Sequence, residues 1–78
     1  MYSPGQLLAV QSPVHPTDIT ILKVQPDGKT AVAVEFIDAQ NHTLGSQHGF
    51  GTTGKVIPIP PDARPCPPQW AEMVRNRR

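Results

Sequence analysis

The chain has one cysteine, four aromatic residues and no long apolar run. Each shortage excludes something. The lone Cys66 cannot close an intramolecular disulfide, and one thiol cannot build a cysteine-rich zinc site, which fits a reducing compartment. No stretch approaches the roughly 20 apolar residues of a membrane helix. The first residues lack a basic segment followed by an apolar stretch of roughly 7–15 residues, so no signal peptide is visible. The expected location is cytoplasmic, with no membrane partner. Tyr2, Phe36, Phe50 and Trp70 are too few to line a deep pocket and also fill a core.

Charge of one sign is also scarce. Seven Lys/Arg against six Asp/Glu leave a net charge of +1, too weak a field to declare a polyanion partner. Arg75, Arg77 and Arg78 crowd the C-terminal end, which leaves four basic residues against six acidic elsewhere. Apolar residues are 37% of the chain, below the usual ~45–50%, a figure that also counts glycine. With 78 residues there is one domain at most. A chain of this size buries only roughly 60–65% of its unfolded surface, so its core is thin. These limits favour a binding module or an oligomer over a monomeric enzyme.

What the chain has in excess is proline, ten of 78 residues against a usual ~5%. Proline interrupts helix interiors and sheet centres, so it partitions the sequence. Pro4-Gly5 is a turn signal, and Gln6–Val10 reads as a first strand. Pro13 and Pro16 make the next segment a loop. Asp18–Val24 is a strand rich in β-branched residues. Pro26 presets the first corner of a type I turn, and Gly28 supplies the left-handed residue that closes it. Thr30–Ile37 returns as the partner strand. Alternation puts Val32, Val34 and Phe36 on one face, and Ala31, Ala33, Glu35 and Ile37 on the other. Asp38–His42 is a second turn, with Asn41 as the expected left-handed residue. Thr43–His48 is a weaker strand, and Lys55–Pro60 is the last. Pro58 and Pro60 are two apart, so both missing N–H groups lie on one edge, which cannot pair.

Residues 1–60 thus form a small β domain, 61–68 a proline-rich strap of polyproline II geometry, and 69–78 a short basic amphipathic helix. In that helix Trp70, Met73 and Val74 form one apolar stripe. The expected fold is mainly β: a small antiparallel barrel or sandwich, SH3-like or OB-like, of about five strands with a terminal helix.

Candidate sites are few. Gly49–Lys55 matches the spacing of a phosphate loop, but Val56 replaces the hydroxyl that would reach magnesium. Lys55-Val-Ile-Pro-Ile-Pro cannot start a helix, so a glycine-rich β loop is the better reading. His15, His42 and His48 show no metal-ligand spacing. Cys66 sits between prolines with no helix N-terminus to activate it. No cofactor is expected. Pro58/Pro61 and Pro65/Pro68 have polyproline-ligand spacing, although a stiff strap explains them as well.

The C-terminal helix is the best interaction candidate. Its stripe either docks on the chain's own sheet or enters a partner's groove. The leading expectation is a non-catalytic protein-interaction module, accessory or inhibitory, that occupies a partner's surface. Trp70, Met73, Val74, Arg75, Arg77, Arg78 and Phe50 would make the contact. The alternative is RNA or single-stranded DNA binding through Lys23, Lys29, Lys55 and Phe50. The third and least favoured expectation is an enzyme, which only a site shared within a homo-oligomer would allow, and self-association itself stays open.

Overall fold

The computed structural model describes residues 2–11, 17–41, 43–44 and 54–76. Among these residues six strands form one antiparallel sheet: β1 (Leu7–Gln11), β2 (Asp18–Val24), β3 (Thr30–Asp38), β4 (Thr43–Leu44), β5 (Val56–Pro58) and β6 (Arg64–Pro65). The helix α1 (Pro68–Arg75) follows. The order is β4–β3–β2–β1–β6, and β5 shares the outer side of β3 with β4. β5 covers Thr30 to Val32, and β4 covers Ile37 and Asp38. Among the described residues the two borders do not pair with each other. The mainly β expectation holds, but these residues leave the sheet open and do not close it into a barrel or sandwich.

The β2–β3 hairpin is built as its turn residues dictate. Gly28 N–H donates to Gln25 C=O at 2.9 Å, and Gly28 takes φ +70°. That is a type I turn closed by one left-handed residue, which glycine adopts without steric cost. The Asp27 carboxylate locks the loop. It accepts from Lys29 N–H at 2.9 Å, Thr30 N–H at 3.0 Å and the Thr30 hydroxyl. At the far end of β3, Asp38 does the same for the next turn, accepting from Gln40 N–H, Asn41 N–H and the Asn41 side-chain amide.

The expected facing of β3 is corrected by a bulge. Ile21 lies opposite Glu35 and Leu22 opposite Ala33, so Val34 is an extra residue in β3. One extra residue shifts the alternation by one position. Phe36 therefore joins Ala31 and Ala33 in one cluster, with Leu8, Val10, Leu22 and Val24. Val34 and Ile37 belong to the opposite cluster, around Ala9 and Ile21. Continued alternation would have sent Glu35 into the larger cluster and turned the phenyl ring away from it. Glu35, 2% exposed, instead accepts the Phe36 N–H on Oε1 at 3.0 Å. A buried carboxylate needs such donors.

The strap expected over 61–68 is a strand in part. Ala63 N–H donates to Pro60 C=O and closes a turn. Arg64 and Pro65 then pair with Ala9 and Leu8, and Cys66 N–H donates to Leu7 C=O at 3.0 Å. Pairing is available because the prolines alternate with residues that keep their N–H. Arg64 and Cys66 face β1, and the nitrogens of Pro65 and Pro67 face outward. β5 uses the same device. Ile59 N–H donates to Lys29 C=O, and Ala33 N–H to Lys55 C=O. Residues 55, 57 and 59 thus face β3, which leaves Val56 with the one outward N–H beside Pro58 and Pro60.

α1 is shorter than expected, ending at Arg75, with Asn76 N–H on Glu72 C=O. Pro68 occupies the first turn, where a missing N–H costs nothing. The helix lies on the cluster of Ala9, Ile21 and Ile37, with Trp70 and Val74 packed against it. Ala71 is buried. Met73 is half-buried and outside that cluster, so the inward stripe is Trp70, Ala71 and Val74.

Candidate partner-binding cleft

β1 and β2 present Leu7 and Lys23 side by side on the helix side of the sheet, since the two are paired in register. Both follow from period-two alternation with Ala9 and Ile21. Val34 lies on the same side by its alternation with Ala31 and Ala33. α1 covers only the Ala9–Ile21–Ile37 end of this face. Between this face, the residues after β6 and α1 lies an open cleft of about 550 Å³.

Leu7, Val34, Ala71 and Val74 give the cleft apolar walls, and the Cys66 thiol lies among them. Lys23 from β2 and Arg75 from the last turn of α1 also line it. Both cations are exposed, and among the described residues neither has an ion pair or a side-chain hydrogen bond. Arg75 is three residues from Glu72, a spacing that often forms a pair on a helix, yet none forms. Burial pushes the Cys66 thiol above its ordinary value, and the charge of Arg75 pulls the other way. The net direction keeps the sulfur protonated and a poor nucleophile at neutral pH. Chemically, the cleft can bury an apolar side chain and neutralise an anion beside it.

A second, smaller hollow of about 280 Å³ lies on the other flank of α1, against Val10, Ile19, Arg64 and Trp70. The Trp70 indole N–H is buried without an acceptor among the described residues.

The residues named from the sequence separate in space. Trp70 and Val74 pack on the chain's own sheet, so the stripe is docked internally. Arg75 reaches the cleft. Phe50, Arg77 and Arg78 lie outside the described residues, as do His15, His42, His48 and residues 49–53 of the glycine-rich segment. Lys23 faces the helix side, whereas Lys29 precedes β3 and Lys55 precedes β5 at the far end of that pairing. The three lysines do not form one stripe. Sequence reasoning missed Leu7, Val34 and Cys66 as companions of Lys23 and Arg75. The spacing gave no sign of them, because the cleft joins residues from four separated segments.

Among the described residues no three His, Cys, Asp or Glu side chains gather as metal ligands. No helix among them is long and apolar enough to cross a membrane. No protein-family model matches the chain, and neither curated proteins nor solved structures give a match.

Proposed function

We propose that the chain is a small non-catalytic protein-interaction module, accessory or inhibitory, that acts by occupying a partner's surface. The observation that carries this reading is the cleft beside α1, where two cations without an ion pair among the described residues border apolar walls. Unpaired cations beside an apolar depression are a resource for recognition and contribute little to folding. The proline-guarded borders point the same way. A partner cannot readily add a strand to an edge that lacks donors, so approach through the helix-side face is favoured. The open sheet with its larger cluster on one face is read as a member of the small SH3-like or OB-like β class.

Binding of RNA or single-stranded DNA has less behind it. That chemistry uses exposed aromatic platforms along a basic groove. Among the described residues, Tyr2 is half-buried and donates its hydroxyl to Ala63 C=O at 3.0 Å, Phe36 is buried, and Trp70 packs between the helix and the sheet.

The test is a pull-down from the source cell with and without nuclease, run beside the double variant Lys23→Glu/Arg75→Glu. A protein partner captured in the presence of nuclease, and lost with the double variant, is the expected result. Capture that disappears on nuclease treatment would transfer the function to nucleic acid.

A further inference from the structure

The cleft also constrains what enters it. We infer that its occupant is an acidic peptide segment of a partner protein, carrying a leucine-like side chain between or beside carboxylates. This rests on the protein-interaction reading above and names the chemistry of the partner.

Three observations carry the inference. Leu7, Val34, Ala71 and Val74 leave an apolar wall that water covers poorly, and an inserted aliphatic side chain would bury it. Lys23 and Arg75 come from different elements and reach the same cleft, so a carboxylate near that side chain meets positive charge from the sheet and from the helix. No described acidic side chain pairs with either cation, so a docking carboxylate displaces no existing ion pair. The shape argues for a peptide over a small amphiphile. A drug-sized ligand is usually enclosed over most of its surface, and this cleft is open to solvent. A chain segment can lay one residue into it and pass on across the surface.

Cys66 makes the test direct, because the only cysteine of the chain lines the cleft. Short peptides bearing a cysteine, supplied as their symmetrical disulfides, can be exchanged onto it at mildly alkaline pH. The Cys66 thiolate bonds one peptide sulfur, the second peptide leaves as its thiol, and the captured fraction is read by mass spectrometry. One peptide carries two leucines and two aspartates, a second replaces the aspartates with lysines, and a third replaces the leucines with serines. The acidic leucine peptide should be captured roughly fivefold over its lysine counterpart, the effect of two partly exposed charge pairs. Lys23→Glu/Arg75→Glu should reverse that preference while thermal unfolding stays cooperative. Titration with the same peptides lacking the cysteine should move the backbone amide resonances of Leu7, Val34 and Val74, a readout independent of thiol reactivity.

Equal capture and equal shifts for the acidic and basic peptides overturn the inference. So does a preference that survives charge reversal, or a serine peptide that performs as well as the leucine one. An oligothymidylate that shifts these amides more strongly than the acidic peptide would assign the cleft to nucleic acid. If the peptides fail while the pull-down still yields a nuclease-resistant protein, the interaction reading stands and only the cleft's chemistry falls.

Discussion

Single residues set several of the properties that can be measured. Asp27 accepts three hydrogen bonds, the first from Lys29 N–H, and they hold its carboxyl below the ordinary value of 3.8. A carboxyl lowered in the folded state contributes stability above its unfolded value, and that contribution is lost as pH falls through the folded one. Asp27→Ala should therefore lower the melting temperature at pH 7 and narrow the gap to the parent protein below pH 3.8. Parallel melts across that window check it, and a gap independent of pH would refute the assignment. Thr20 is the opposite case. It is fully buried, and its hydroxyl has no partner among the described residues. A buried hydroxyl without a partner costs about 1–3 kcal/mol relative to an apolar isostere. Thr20→Val, which keeps the β-branched shape, should stabilise the fold by about 1 kcal/mol, or about 4–8 °C in melting temperature for a domain of this size. An unchanged or lower melting temperature would show that the hydroxyl is satisfied.

Among the elements, the border strands and the helix carry the clearest consequences. β5 and β6, each with the two residues that follow it, turn two proline nitrogens outward, Pro58 and Pro60 on one border and Pro65 and Pro67 on the other. Replacing Pro58 and Pro60 by valine restores two outward N–H donors beside Val56, which is already exposed. The edge should then pair with other chains, seen as concentration-dependent association by sedimentation. A variant that sediments like the parent at all concentrations would remove the guarding role. The helix is needed as a cover. Trp70→Ala should cost about 2–3 kcal/mol, below the ~3–5 kcal/mol of a fully enclosed aromatic because Trp70 keeps some exposure. Deleting residues 69–78 should uncover Ala9, Ile21 and Ile37, measured as increased binding of a hydrophobic dye. If the deleted chain melts like the parent and binds no dye, α1 is not part of the folding unit.

At the scale of the whole molecule, one sheet carries two unequal apolar faces. The larger cluster is supported by Tyr2, Ile57, Ile59 and Ala63, and the smaller by α1. Because the helix covers only part of its face, the remainder lines the cleft, where the proposed partner would meet apolar surface that folding leaves uncovered. Salt should therefore weaken partner binding with little effect on stability, since Lys23 and Arg75 make no ion pairs within the described residues. Binding measured across a salt series, beside melting temperatures in the same buffers, separates the two. Parallel loss of both would contradict the division of roles.

The sequence alone was enough for the features that depend on near neighbours. Pro26 and Gly28 announce the hairpin because a turn is decided within four residues. Pro58 and Pro60 announce a guarded edge because their spacing equals the strand period, and Pro65 and Pro67 have that spacing too. They read as a strap only because their partner, β1, lies more than 50 residues away in the chain. Tertiary structure decided the rest. The bulge at Val34 has no local mark in Thr-Ala-Val-Ala-Val-Glu-Phe-Ile, and it follows from where the Phe36 ring and the Glu35 carboxylate must go once β2 is alongside. The stripe of α1 would fit a partner's groove or its own sheet, and only the apolar face of Ala9, Ile21 and Ile37 settles that. The cleft draws Leu7, Lys23, Val34 and Arg75 from elements far apart in sequence, and no pattern along the chain encodes a meeting that exists only after the sheet and the helix have packed.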